Sequence, residues 1–268
     1  MVQLLPHTLR LRPREGHELR IESSKLAIFP VANLRWHRDI EGNSVAIAKF
    51  TTRSDTLKIE SDVLIQQFDL APLDFLVADH AIHYPFSYTA EEQCLLSPYL
   101  DGTDYSQNPR FDDWMRSLWA RTERIQSVAL LLRVNQSIFE MIGYRRREEQ
   151  GVQSPEQTLV CGTGSCRDLA FLFMAAARRL GFAARFVTGY LYSDTIGGDC
   201  GATHAWAEAL IPGAGWKGFD PTIGEIVGSH HIAVAVARVP EAVPPVEGEF
   251  YGNPGASMKV AVGVTDVT

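Results

Sequence analysis

Gly164-Ser165-Cys166-Arg167-Asp168-Leu169-Ala170 is the stretch on which the reading of the fold turns. A cysteine stands where an apolar run begins. The run continues Phe171-Leu172-Phe173-Met174-Ala175-Ala176-Ala177 and ends at Arg178-Arg179-Leu180-Gly181. Ser165 supplies an N-cap and Gly181 a C-terminal cap, and the two arginines set positive charge in the last turn, where a helix dipole favours it. Leu169 to Ala177 is apolar on every side, so the pattern predicts a buried helix. Cys166 then sits at the N-terminal tip, where free N–H groups stabilise a thiolate and can bring a cysteine pKa from about 8.5 to roughly 3.5–7.5. Asp168, in the first turn, reads as an acid that complements the dipole.

Downstream the pattern changes to strands: 183–192, then 203–211, a turn at Pro212-Gly213-Ala214-Gly215, and 216–219, with 232–239 and 258–264 closing the chain. Ser193 to Ala202 reads as a loop. In Thr203-His204-Ala205-Trp206-Ala207-Glu208-Ala209-Leu210, alternation puts His204, Trp206 and Glu208 on one face and three alanines on the other. The small-residue face suits close packing on a helix. The next strand ends in Gly218-Phe219-Asp220-Pro221-Thr222, so an antiparallel neighbour can hold Asp220 beside His204. A cysteine nucleophile, a histidine base and a carboxylate orienter form the arrangement of thiol acyl transfer. Each alone is weak: a lone cysteine is most often a buried small hydrophobe, as Cys94 and Cys161 are read here, and an Asp before Pro is often only a turn former. His230-His231 reads as a structural strand start. The weight lies in the combination.

Upstream, residues 8–80 read as short strands with no intervening helical pattern, which predicts an antiparallel sandwich or barrel. Leu34 to Phe50 reads as a hairpin turning at Glu41-Gly42-Asn43, and 56–60 and 63–68 as two more strands. Residues 81–110 read as a connector containing a short helix from Thr89 to Leu96. Residues 111–149 read as helical, with Arg145-Arg146-Arg147 as the solvated end, and Ser154-Pro155-Glu156-Gln157 opens a short capped helix. The expected division is 1–80 β domain, 81–110 connector and 111–268 helix-bearing α+β domain.

Composition sets the class. The chain has 268 residues, of which 46% are hydrophobic, and a net charge of −7. That is enough to bury a full core, and it argues against a nucleic-acid partner. Four cysteines in such a length make no disulfide scaffold and fit a reducing compartment. The first residues lack the basic-then-apolar pattern of a signal peptide, and no segment approaches a membrane span. The expectation is a cytoplasmic protein that engages neither membrane nor nucleic acid.

Four motifs together resemble the transglutaminase-like superfamily: Gly164-Ser165-Cys166-Arg167-Asp168, then Gly181-Phe182-Ala183-Ala184-Arg185-Phe186-Val187-Thr188-Gly189-Tyr190, then His204-Ala205-Trp206-Ala207-Glu208, then Pro212 to Thr222. The bacterial cysteine-protease branch is the most similar. The likeness extends upstream to His7–Pro13 and Asp39–Asn43, which resemble that branch's N-terminal β region, and downstream to Ala233–Tyr251. It implies a papain-like α+β core, with a central Cys-bearing helix packed on an antiparallel sheet. It also implies Cys166 as nucleophile, His204 as base and Asp220 as orienter. Two departures stand out. Relatives carry another strand before the position of His7, where almost nothing stands here, so that sheet is expected to lack an edge strand. Relatives also often carry Gly-Arg-Asp where this chain has Ala237-Arg238-Val239. Papain-type spacing places the histidine roughly 130–150 residues after the cysteine. Here His204 follows by 38 residues and Asp220 by another 16, which suits the transglutaminase core.

The chemistry implied is attack of the Cys166 thiolate on an amide of a peptide, protein or smaller amide, followed by transfer of the acyl group to water or to an amine. No cofactor and no metal is called for. The Cys166 N–H is the first oxyanion donor, and Gln157 and the backbone near Thr163 are candidates for the second. Two rivals stay open: a structural zinc site from Cys161, Cys166, Cys200 and His204, and a non-catalytic binding module on the same fold.

Overall fold

The computed structural model describes residues 1–68, 71–101, 109–147, 149, 151–192, 203–253 and 255–267. Its centre is a five-stranded antiparallel sheet in the order 225–226, 215–220, 204–211, 184–191, 231–237. Five α-helices are described: α1 Ala90–Leu100, α2 Pro109–Leu118, α3 Ser127–Met141, α4 Pro155–Cys161 and α5 Cys166–Arg179. The α5 helix is buried along almost its whole length and packs across strands 204–211 and 184–191. Ala205, Ala207 and Ala209 give it a floor without protruding side chains, and Phe173 of α5 stacks on Phe219 with ring centres 5.1 Å apart. On the far side of α5 lie α3 and α4, and α2 packs on both of these. The C-terminal stop is as the sequence implies: Gly181 takes φ +86°, and the Phe182 N–H bonds the Ala177 carbonyl. Both arginines stand in the last turn as expected, and Arg178 is buried and donates to the carbonyls of Ala184 and Arg238.

The mixed α+β class with a Cys-bearing helix on an antiparallel sheet is thus the observed one. Several local readings differ. The helical segment expected over 111–149 is two helices, separated by a turn in which the Glu123 N–H bonds the Ala120 carbonyl. Arg133 then reaches back from α3 to the Leu118 carbonyl and to Glu123, tying the break closed. Past Met141 the chain is extended, because Gly143–Tyr144 pairs in parallel with Thr163–Gly164. Arg145 to Arg147 is therefore not a helix end.

In the N-terminal region, strands 246–247, 7–9, 44–50 and 32–38 form one antiparallel sheet, strands 250–251, 2–4 and 53–54 a second, and strands 19–29 and 58–67 a long ribbon. The 34–50 hairpin is present; Asp39 accepts the N–H groups of Glu41 and Asn43 in its turn, and Gly42 supplies φ +74°. The strands read as 56–60 and 63–68 are one strand, since Lys25 and Leu26 of its long partner pair with Asp62 and Ser61 between them. Val2–Leu4 forms a strand, though in a different sheet from His7–Leu9. Residues 258–264 are not a strand. The pairs at 246–247 and 250–251 return the end of the chain to the N-terminal sheets. No described helix is long and apolar enough to cross a membrane.

Candidate active site

Cys166 is the first residue of α5, so its backbone N–H has no partner within the helix. The start of α5 is held by Asp168, which is far more than a dipole complement. Fully buried, Asp168 accepts the Ser165 N–H and the Ser165 hydroxyl, both at 2.8 Å, the Gln153 N–H at 2.7 Å, and Arg147 Nη1 at 2.7 and 2.9 Å. Burial alone pushes this carboxyl's pKa up. The Arg147 guanidinium and the donors of Gln153 and Ser165 outweigh it and hold the pKa below the ordinary value. Arg147 and Gln153 are thereby pinned to the turn that presents the thiol. Gly164 is part of the fit: a Cβ there would lie 2.9 Å from Asp168 Cβ.

His204 opens strand 204–211 opposite Gly189. Its Nε2 lies 2.6 Å from Asp220 Oδ2, and Cys166 is near enough to act on its charge. With Nε2 engaged by the carboxylate, Nδ1 is the nitrogen left for the sulfur. Asp220 ends strand 215–220 and is fully buried. The turn after it fixes its position: Oδ1 accepts the Thr222 N–H at 2.9 Å, and its carbonyl accepts the Gly224 N–H at 2.9 Å and Asn135 Nδ2 at 3.4 Å. Burial opposes a charged His204, but the hydrogen bonds and charges of Asp220 and Cys166 prevail and raise its pKa to about 10. Burial likewise opposes the Asp220 carboxylate, and the hydrogen bonds from His204 and His231 overcome it and hold its pKa well below the usual range.

The structure thus brings Cys166, His204 and Asp220 together, and adds residues that the sequence reading did not assign to the site, His231 among them, which was read as structural. His231 Nε2 lies 3.1 Å from the same Asp220 Oδ2. No spacing signals this contact, because two strands separate 215–220 from 231–237 in the sheet. Asn135 on α3 and Arg147 in an extended segment were hidden for the same reason: their partners are distant in sequence.

Of the zinc ligands considered, Cys200 lies outside the described residues. Among those described, the one group of at least three His, Cys, Asp or Glu ligand atoms close enough for a metal is His204, Asp220 and His231, within 4.8 Å of one another; Cys161 is not in it. Those three side chains already satisfy one another as hydrogen-bonding partners. Cys94 and Cys161 are exposed free thiols rather than buried hydrophobes. Gln157 is committed to the α4 cap, its side-chain oxygen accepting the Ser154 N–H at 2.8 Å.

Comparison with known proteins finds two family segments and a shared fold. Residues 118–221, which include Cys166, His204 and Asp220, match the transglutaminase-like superfamily core, and residues 1–66 match the bacterial transglutaminase-like N-terminal region. An uncharacterized protein of Mycobacterium tuberculosis (strain ATCC 25618 / H37Rv) is 29% identical over 265 residues, spanning 91% of this chain and 81% of its own. One of Mycobacterium leprae (strain TN) is 33% identical over 106 residues, 38% of this chain and 37% of its own. A solved structure from Cytophaga hutchinsonii, described as a "putative cysteine protease", covers 100% of this chain and 89% of its own with a TM-score of 0.71 at 20% identity, a likeness of fold. The matches thus place a transglutaminase-like core at residues 118–221, preceded at residues 1–66 by the bacterial transglutaminase-like N-terminal region.

Proposed function

We propose that this protein is a thiol acyl-transfer enzyme in which Cys166 is the nucleophile, His204 the general base and acid, and Asp220 the orienter. The observation that carries the reading is the His204–Asp220 pair beside the thiol: Cys166 half-buried at the head of α5, and His204 bonded at 2.6 Å to a fully buried carboxylate. A raised His204 pKa favours the imidazolium, which is the partner a Cys166 thiolate needs at neutral pH. The thiolate attacks the carbonyl carbon of a peptide or amide, and the oxyanion that forms faces the unpartnered Cys166 N–H. The imidazolium Nδ1–H protonates the leaving nitrogen as the C–N bond breaks, leaving a thioester and a neutral imidazole. A water molecule, losing its proton to His204, attacks the thioester; the acid departs and the thiol is restored. An amine in place of water yields a new amide.

Hydrolysis is the favoured outcome, since water is always at hand and no dedicated amine site is evident among the described residues. A reducing, cytoplasmic setting would keep the thiol competent. The test is selective labelling of Cys166 by iodoacetamide at neutral pH, followed by a screen of peptide and amide substrates with and without an added primary amine. Labelling at Cys166 and turnover lost in Cys166→Ala support the proposal. A Cys166 no faster than the exposed Cys94 and Cys161 would remove its basis.

A further inference from the structure

We infer that His231 is a positioning residue for this reaction, a second histidine that clamps the Asp220 carboxylate so that it faces His204. The inference rests on the proposed Cys166–His204–Asp220 relay and adds a member to it. Asp220 Oδ2 has two lone-pair directions. His204 Nε2 takes one at 2.6 Å and His231 Nε2 the other at 3.1 Å, while Oδ1 accepts the Thr222 N–H. The carboxylate is thus held from three sides and cannot turn about its Cβ–Cγ bond without breaking a bond.

The tautomer of His231 follows from its other side. The Gly228 N–H points at His231 Nδ1 at 3.4 Å, so Nδ1 is an acceptor and the ring proton sits on Nε2, where it donates to Asp220. His231 is therefore a donor to the carboxylate, which it holds facing His204. The ring is itself immobilised: it is buried, and Trp206 meets it edge to face with centres 5.2 Å apart. Its backbone is held from the N-terminal region, where Gln67 Nε2 donates to the carbonyls of Ser229 and His231 at 3.1 and 3.2 Å. Among the described residues the titratable side chains facing His231 are Asp220 and His204, the latter with ring centres 6.2 Å apart; the adjacent His230 packs instead on Tyr192.

The experiment needs no substrate. The pH dependence of Cys166 alkylation by iodoacetamide is measured for the wild type, His231→Gln, His231→Leu and Asp220→Ala, with thermal melts as a folding control. Glutamine keeps an N–H donor at the reach of Nε2, and leucine removes it. In His231→Leu the carboxylate is released and supports the imidazolium less well. The alkaline limb of the profile should move down by about one pH unit, and alkylation at neutral pH should slow by about tenfold. His231→Gln should stay within about twofold of wild type. A folded His231→Leu with the wild-type limb, alongside a shifted Asp220→Ala, overturns the role of His231 and leaves the triad standing. An unshifted Asp220→Ala instead overturns the triad itself. Should His231→Leu fail to fold, imidazole nitrogen NMR of the wild type decides. A His231 proton held on Nε2 supports the inference, and an Nε2 without a proton overturns it.

Discussion

Asp220 keeps its charge at a point where burial opposes it, and the whole relay depends on that. Loss of its carboxylate removes a charge-assisted hydrogen bond to His204, about 1.5–3 kcal/mol. Asp220→Ala should therefore slow Cys166 alkylation and turnover by at least about tenfold in a protein that still folds. Asp220→Asn can accept the same bond without its charge and should fall between. Pseudo-first-order alkylation rates across a pH series measure this, and identical profiles in all three proteins would reduce Asp220 to a turn residue. Asp168 makes a second prediction, about stability. Its pKa is lower folded than unfolded, so it contributes stability that is present above its ordinary value and is lost as pH falls through the folded one. Asp168→Asn should cost on the order of 3 kcal/mol at neutral pH, because it strands the partly buried Arg147. It should also flatten the acid limb: wild type should lose more stability than the variant as pH drops below about 4. Urea melts at several pH values check both the size and the slope; parallel curves would mean that the charge of Asp168 is of no consequence.

At the scale of elements, the site is where the ends of four of them meet: the head of α5, the start of strand 204–211, the end of 215–220 and the start of 231–237. Gly189 lets two of these come close. The register of strand 184–191 against 231–237 shifts between Thr188 and Gly189, and a Cβ at 189 would lie 2.2 Å from the Ile232 carbonyl oxygen and 2.6 Å from the Trp206 ring. The carbonyl is backbone and cannot swing aside, so Gly189→Ala should destabilise by at least about 2 kcal/mol. It should also slow alkylation, because it displaces the strand that begins at His231 and the ring that packs on it. Denaturant melts with the alkylation assay measure both, and a variant as stable as wild type would refute the packing argument. The same elements show what was legible in the chain. The capped apolar run announced α5, and the alanine alternation announced the strand and its helix-facing side, because both are periodicities within one element. The break between α2 and α3 was not announced: residues 119–126 hold neither Gly nor Pro, and the turn is held by Arg133 from the next helix. The unbroken strand 58–67 depends on the length of its partner, and Asp168–Arg147 and Asp220–His231 depend on how distant segments meet.

Across the whole molecule, the N-terminal β region covers the outer edge of the five-stranded sheet. Strand 231–237 is terminal in that sheet and would otherwise expose unpaired backbone groups. Asn43, fully buried in the turn of the 32–50 hairpin, closes that edge like a fragment of strand. Its Oδ1 accepts the Val236 N–H at 2.9 Å, and its Nδ2 donates to the Val236 carbonyl at 2.8 Å. Arg14 Nη1 donates to the same Oδ1 at 2.6 Å, and the Arg14 N–H bonds the Ala233 carbonyl at 2.8 Å. With Gln67 on Ser229 and His231, the region grips the strand along its length and reaches the end that bears His231, and the Leu11 carbonyl accepts the Tyr190 hydroxyl of the next strand. The N-terminal region is thus bonded to the scaffold of the site rather than tethered beside it. Asn43→Ala tests this. It leaves both polar groups of Val236 buried and unpaired, at about 1–3 kcal/mol each, so the loss should be at least about 2 kcal/mol. The Val236 amide should lose its hydrogen-exchange protection ahead of the amides of α5, because the defect is local to the outer edge. Asn43→Asp should be no better, since a carboxylate oxygen would face the Val236 carbonyl where an N–H now donates. Wild-type stability and unchanged Val236 exchange in Asn43→Ala would show that the two regions merely touch.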